Sequence, residues 1–366
     1  MNDEPMKPIS VLVVDDSPSM RMLLSHVLAR DPRITVIGTV NDGQAAIDYL
    51  QGSGTRPDVV LMDIHMPRLD GFEATRRIME TNPLPIVICT ATADPKEMAV
   101  AFRSMEAGAV ACVEKPLGLD HPQFAACVEN LQQTIRLMSE VKVVRRWNRP
   151  RPAGANAPIV VPAPGTRQPA PRIVGIGAST GGPPLLQNIL SALPRDFPAP
   201  ILVVQHISRG FLPGMVEWLN QTTGQHIHIA AHGAVPLPGH VHIAPDDFHL
   251  GVSTTGRLTL SRGEPENGLR PSVSWLFRSL AENLGGGAVG VLLTGMGKDG
   301  AAELKQMRDR GAMTIAQDRE SSVVHGMPGE AIALGAAAQI LSADRIAGAL
   351  IAEFARKAQH AGGIEA

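Results

Sequence analysis

Short, β-branched apolar runs recur at intervals along the chain. In the first third they are ISVLVV (9–14), TVIGTV (35–40), DVVLM (58–62), PIVIC (85–89) and AVACV (109–113). Runs this short, without polar alternation, are read as strands buried on both faces. Between them lies helical spacing, as at Met20, Leu23, Leu24, Val27 and Leu28. Strand and helix in alternation predict a parallel sheet wrapped on both faces over residues 7–137. From 148 to 172 the segment NRPRPAGANAPIVVPAPGTRQPAPR has many prolines and no helical period. It reads as an extended, partly polyproline stretch within a linker spanning 138–172. The preceding MSEVKVVRRW ends the last helix of the first half or begins a connecting one. A second alternation occupies 173–358. Its strand candidates are 173–177, 201–205, 226–230, 240–244 and 289–293, with helical patterns at 183–192, 211–220, 272–284 and 299–310. The expectation is an α/β chain of two domains.

Composition narrows the function classes. With 366 residues the chain exceeds one ordinary core. It is 44% hydrophobic and 19% charged, with a formal net charge of −2. That balance gives no electrostatic reason to expect nucleic acid or a basic membrane anchor. Cys89, Cys112 and Cys127 are an odd, unpaired set, which points to a reducing cytoplasm and not to a disulfide framework. No stretch is long and apolar enough for a membrane span, and no membrane insertion is expected.

Asp15 and Asp16 follow the first strand run, Asp63 the third, Thr90 the fourth and Lys115 the fifth. Parallel sheets place functional groups at the carboxyl edge of their strands, so these residues should converge. Clustered carboxylates are costly without a cation, and Mg²⁺ suits a few carboxylate oxygens together with phosphate oxygens. A hydroxyl and an ammonium at the same edge could hold a phosphoryl group on Asp63. The simpler alternative has Asp15 and Asp16 capping the next helix; capping does not account for all five strand ends.

VLVVDDSPSMR, LMDIHMPRLDG, Thr90 and Glu114-Lys115-Pro116 resemble the response-regulator receiver family, whose fold is flavodoxin-like. The resemblance implies Asp63 as phospho-acceptor, Asp15 and Asp16 with Asp63 as Mg²⁺ ligands, and Thr90 and Lys115 as phosphate contacts. A sensor histidine kinase would be the phosphodonor. Cys112 stands where receivers commonly carry an aromatic residue, so the signal is expected to leave by a different route.

In the second half, IVGIG runs into Ala178-Ser179-Thr180-Gly181-Gly182-Pro183-Pro184, which puts Ser179 on a tight bend before a helix. Proline in a first helical turn wastes no backbone donor, and the helix start favours developing negative charge. A dinucleotide fingerprint fails because its sixth position is Thr180 and the next strand ends in His206. Gly177-Ala178-Ser179-Thr180-Gly181 fits a nucleophile elbow, but the chain order Ser, His, Asp differs from that of α/β-hydrolases. His206 alone could be structural, and Asp299 could simply cap the helix at 299–310. Yet Ser179, His206 and Asp299 all lie beyond strand ends of one sheet, as base-assisted nucleophilic attack requires.

GIGASTGGP, VVQH, HIAPDDFHL, RPSVSWLF, LLTGMGKDGA and QDRESSVVHGMPGEA resemble the chemotaxis protein-glutamate methylesterase and glutamine deamidase family. The resemblance implies a doubly wound parallel α/β catalytic domain with Ser179 as nucleophile, His206 as base and Asp299 orienting it. It implies the Met296 N–H at the oxyanion, Thr180 in support and no cofactor at the hydrolase site. The implied substrates are methylated glutamates and certain glutamines on cytoplasmic helices of chemoreceptors. The alternative is a phospho-dependent binding protein with an inactive hydrolase-like domain. The stretch around Leu269, Arg270, Pro271, Ser272 and Ser274 is expected to face the receptor or the receiver. His226, His228, His240, His242 and His249 are expected to serve surface or packing roles.

Overall fold

The computed structural model describes residues 8–91, 102–116, 118, 120–141, 143 and 173–361. The Pro-rich segment at 148–172 lies outside the described residues.

The first sheet has strands β1 (Ile9–Val14), β2 (Ile34–Val40), β3 (Val59–Met62), β4 (Ile86–Thr90) and β5 (Ala111–Glu114), in the order β2-β1-β3-β4-β5. β1 pairs in parallel with β2 and β3, and β3 with β4. This is the flavodoxin-like order, which reverses direction between β1 and β3. All of β3 and β4 is buried, as expected for strands covered on both faces. The helices begin where short polar side chains accept orphan backbone donors: Ser17 from Met20, Asp42 from Ala45 and Asp70 from Glu73. Ser17, and not either aspartate before it, is therefore the cap of helix Pro18–Leu28. Gly71 opens helix Gly71–Thr81 hard against the Asp63 carbonyl, where a Cβ would stand 2.0 Å from the oxygen.

The second unit contains β6 (Ile173–Ala178), β7 (Ile201–Gln205), β8 (His226–Ile229), β9 (His240–Ile243), β10 (His249–Val252), β11 (Leu258–Ser261), β12 (Ala288–Leu292), β13 (Met313–Gln317) and β14 (Gln339–Leu341). Seven of these form a sheet in the order β14-β13-β12-β6-β7-β9-β8, with every neighbouring pair parallel. β10 and β11 make a separate antiparallel hairpin that packs against helix Val273–Asn283. The fold class is α/β, doubly wound, as the alternation of runs predicts. The core joins Ile173, Leu202, Val204 and Leu292 of the sheet to Phe277 and Leu280 of that helix and Leu304 and Met307 of helix Ala301–Asp309.

Among the described residues no helix is long and apolar enough to cross a membrane.

Candidate functional site

The central strands of the larger sheet set the site. In register, Gly177 of β6 lies beside Val204 of β7 and Leu292 of β12, and Ala178 beside Gln205. The chain therefore leaves all three strands at one level, and Ser179, His206 and Thr294 emerge along a single carboxyl edge. The order of strands reverses beside β6, so this edge is also a switch point, where crevices form.

Ser179 is clamped through its backbone. Its N–H donates to the Thr294 carbonyl at 2.9 Å, and its carbonyl accepts from Gly182 N–H at 2.8 Å across a tight turn. Gly181 makes that turn in the left-handed region, at φ 77°, and caps helix Gly182–Ala192. The Gln205 side-chain amide, buried at the end of β7, donates at 2.8 Å both to the Ser179 carbonyl and to that of His206. One side chain thus fixes the backbone of both residues.

His206 is anchored by its N–H to the Ala178 carbonyl at 2.9 Å. Its Nε2 lies 3.0 Å from Asp299 Oδ2, though outside the alignment of a well-formed hydrogen bond, and both side chains are largely shielded from water. Nε2 faces the acid, so Nδ1 is the nitrogen left for a proton from elsewhere.

Asp299 is buried and satisfied from several directions. Ser272 Oγ donates to Oδ1 at 2.7 Å, Val273 N–H to Oδ2 at 2.6 Å, Ser274 N–H to Oδ1 at 3.2 Å and Asn267 Nδ2 to Oδ1 at 3.1 Å. It sits at the N-terminus of helix Val273–Asn283, where the helix dipole favours an anion. Burial pushes its carboxyl up, but His206, Ser272 and Val273 outweigh this and hold it well below the usual carboxylate range. The helix directly after it, Ala301–Asp309, is capped by Gly300. Asp299 therefore serves a helix distant in sequence and not its own.

The loop after β12 closes the site. Thr294 N–H donates to Gln317 Oε1 at 2.7 Å, and its Oγ1 lies 3.0 Å from the Thr180 carbonyl and 3.1 Å from that of Val324. Gly295 is pressed between neighbours: a Cβ there would stand 2.3 Å from Met327 Sδ and 2.6 Å from Ser179 Cβ. Met296, the next residue, is exposed at the rim. Backbone amides on such a loop, beside the hydroxyl of a strand-to-helix turn, are suited to a developing oxyanion.

Gln205, Gln317 and Asn267 are supporting residues that sequence reading passes over, and Ser272 is one that it assigns to an outward-facing stretch. The signal for the two glutamines was an amide ending an otherwise apolar strand, since each must satisfy its hydrogen bonds in the interior. The stretch around Arg270 differs from expectation in part. Ser272 and Ser274 are buried, with Ser274 Oγ donating to Glu303 and accepting from Gly300 N–H. They point inward, toward Asp299 and its loop.

The first sheet carries a second constellation. Ligand oxygens of Asp15, Asp16 and Asp63 all lie within 4.8 Å of one another, the only such three-residue set among the described residues. Asp15 and Asp63 are buried and Asp16 is exposed. Ile64 N–H donates to Asp63 Oδ1 at 2.8 Å. Thr90 is buried, and its carbonyl accepts from Lys115 N–H at 2.9 Å, bringing those two residues to one edge. Three hard carboxylate oxygens converging at a sheet edge fit Mg²⁺. Burial pushes the Cys112 thiol up, so it stays protonated.

Comparison with known proteins places both halves. The model for the CheB methylesterase family matches residues 174–350, and that for the response regulator receiver domain matches 11–124. A protein-glutamate methylesterase/protein-glutamine glutaminase of Nitrosospira multiformis is 53% identical over 343 residues, covering 93% of this chain and 96% of that one. One of Geobacter metallireducens is 52% identical over 348 residues, covering 93% and 98%. One of Syntrophus aciditrophicus is 49% identical over 348 residues, covering 94% and 97%.

Proposed function

The chain belongs to the protein-glutamate methylesterase/protein-glutamine glutaminase family, and from that premise we propose that Ser179, His206 and Asp299 carry its hydrolysis under the control of phosphorylation at Asp63. The activity is that of a carboxylic ester hydrolase and deamidase. The reading divides the chain into a receiver domain at 7–137, a linker at 138–172 and a catalytic domain at 173–358.

Ser179 Oγ attacks the side-chain carbonyl carbon of a glutamate methyl ester while His206 Nδ1 takes its proton. Asp299 stays ionised, holds the imidazole and stabilises its cation. The tetrahedral oxyanion is bound by backbone donors of the loop that includes Met296, with Thr180 supporting the serine turn. Collapse breaks the C–O bond, and the imidazolium returns its proton to the departing methoxide, releasing methanol. Water, activated by His206, then cleaves the acyl-serine and leaves a glutamate carboxylate. With glutamine the leaving group is ammonia. No cofactor enters these steps.

Asp15, Asp16 and Asp63 would hold Mg²⁺, which when bound offsets the charge of the carboxylates and of an incoming phosphoryl group. Asp63 accepts that group from a sensor histidine kinase, and Thr90 and Lys115 contact it. The substrates are the cytoplasmic helices of methyl-accepting chemoreceptors, so the enzyme works in the cytoplasm and provides adaptation in chemotaxis-like signalling.

The observation that carries this reading is the meeting of a buried, multiply hydrogen-bonded Asp299 with His206 at the edge where Ser179 turns. An inactive binding module has no need of a carboxylate held ionised against an imidazole. Methanol release from methylated receptor membranes, with and without a small phosphodonor, tests it. Ser179→Ala should abolish release and leave folding and receptor binding intact; methanol release by that variant at the parent rate would exclude the serine mechanism.

A further inference from the structure

Away from the catalytic edge, β8 and β9 carry histidines at alternate positions: 226 and 228 on one strand, 240 and 242 on the other. The parallel register places His226 opposite His240 and His228 opposite His242. With a side-chain period of two, all four imidazoles leave the same face. They form a continuous ladder: His226 on His240 at 22° and His240 on His228 at 15° are stacked, and His228 to His242 is tilted at 32°. In its middle, His228 Nε2 and His240 Nδ1 stand only 2.8 Å apart. At its inner end His242 is buried, 9% exposed, and its Nε2 has no hydrogen-bond partner.

We propose that this ladder is a binding site for a divalent transition-metal ion of the zinc, nickel or copper class, with His228 and His240 as primary ligands and His242 completing the set. A hydrogen bond between two neutral imidazoles uses one proton and one lone pair, and leaves the buried nitrogen of His242 unexplained. Two imidazole nitrogens bound at about 2.0–2.1 Å to one tetrahedral ion lie about 3.3 Å apart, so the central pair would have to open by about half an ångström. His242, 5.5 Å ring to ring from His228, joins by turning about its side-chain torsions. An all-nitrogen donor set selects borderline transition ions over Mg²⁺. It is chemically distinct from the carboxylate cluster of the first sheet. β8 is the edge strand of its sheet, and an ion shared by both strands would pin that edge.

The test uses the full chain in excess Mg²⁺, so that the carboxylate cluster is occupied. Zn²⁺ and Ni²⁺ are titrated calorimetrically, and Cu²⁺ is followed by electron paramagnetic resonance. One equivalent should bind, and His228→Asn and His240→Asn should each weaken it by at least about tenfold. His228 is exposed, so its variant should keep the parent's melting temperature without metal. The Cu²⁺ spectrum of the parent should show splitting from two or more imidazole nitrogens, a readout that needs no variant. No binding, the parent's affinity kept in both variants, or a spectrum with oxygen ligands alone would overturn the proposal.

Discussion

Asp299 shows how one side chain can satisfy two demands. Its oxygens receive Ser272 Oγ, two backbone N–H groups of helix Val273–Asn283 and Asn267, and Oδ2 faces His206. Asp299→Asn keeps the shape but turns an amide NH₂ toward donors that need an acceptor. On the proposed mechanism kcat should fall by about 10²–10⁴ while KM moves little. A steady-state split in which KM rises and kcat is kept would reassign Asp299 to binding. The folded-state pKa of this carboxyl is depressed, so its contribution to stability is present above the ordinary carboxylate value and is lost as pH falls below it. The residue itself was legible in the sequence, because it follows an apolar run and a glycine-rich loop. Its partners were not, since Ser272 and Val273 are 27 and 26 positions away and only the packing of Val273–Asn283 brings them back. Ser274 makes the same point: a serine shortly after Arg270 and Pro271 looks like surface, yet its hydroxyl is committed to Glu303 and Gly300.

At the level of elements, buried parallel strands announce themselves because both faces must be apolar, and β1, β3, β6, β7 and β12 lie within a residue or two of their runs. β13, β14 and the β10–β11 hairpin were not legible. Met313–Gln317 and Gln339–Leu341 are short and mixed, and they become strands because β12 offers an edge on which to build. The loop after β12 is where element geometry meets chemistry. Gly295→Ala would drive a Cβ into Met327 Sδ and Ser179 Cβ, so the serine turn must shift. Displacements near 1 Å cost about 10²-fold, and kcat for methanol release should drop by that order with receptor binding kept; an unchanged kcat would mean that the turn is not held by this loop. In the first unit Asp31, at the end of helix Pro18–Leu28, accepts from Arg33 and from Arg136 of helix Phe124–Ser139. Arg33 chiefly, with Arg136, holds its carboxyl at about 2 instead of 3.8, against the opposing effect of burial. Depression means that the stabilisation is whole above 3.8 and lost as pH falls through about 2. Asp31→Asn should cost on the order of 1–3 kcal/mol near neutrality, and thermal melts across pH should show parent and variant converging in that acid window. A gap that persists below pH 2 would point to packing and not to charge.

For the molecule as a whole, two α/β halves with separate chemistries need only a shift in an equilibrium to be coupled. A tenfold change in rate corresponds to about 1.4 kcal/mol, well within what a new phosphoryl group at Asp63 can supply through charge and hydrogen bonding. Cys112 stands where receivers commonly carry an aromatic residue, and burial keeps its thiol protonated, so it brings no thiolate charge to the coupling. On the proposed reading the carboxylate trio makes the coupling dependent on a cation. With a small phosphodonor present, the full chain should speed methanol release at least about tenfold. Chelation of Mg²⁺ should remove that gain and leave the basal rate untouched, because the hydrolysis proposed at Ser179, His206 and Asp299 calls for no metal. Asp63→Asn should behave as the chelated parent does, with or without donor. Asp63 is itself one of the proposed ligands, so it is the unchanged basal rate of the chelated parent that separates phosphorylation from any direct effect of the ion on catalysis. Stimulation that survives in Asp63→Asn would move the control point off the first sheet altogether.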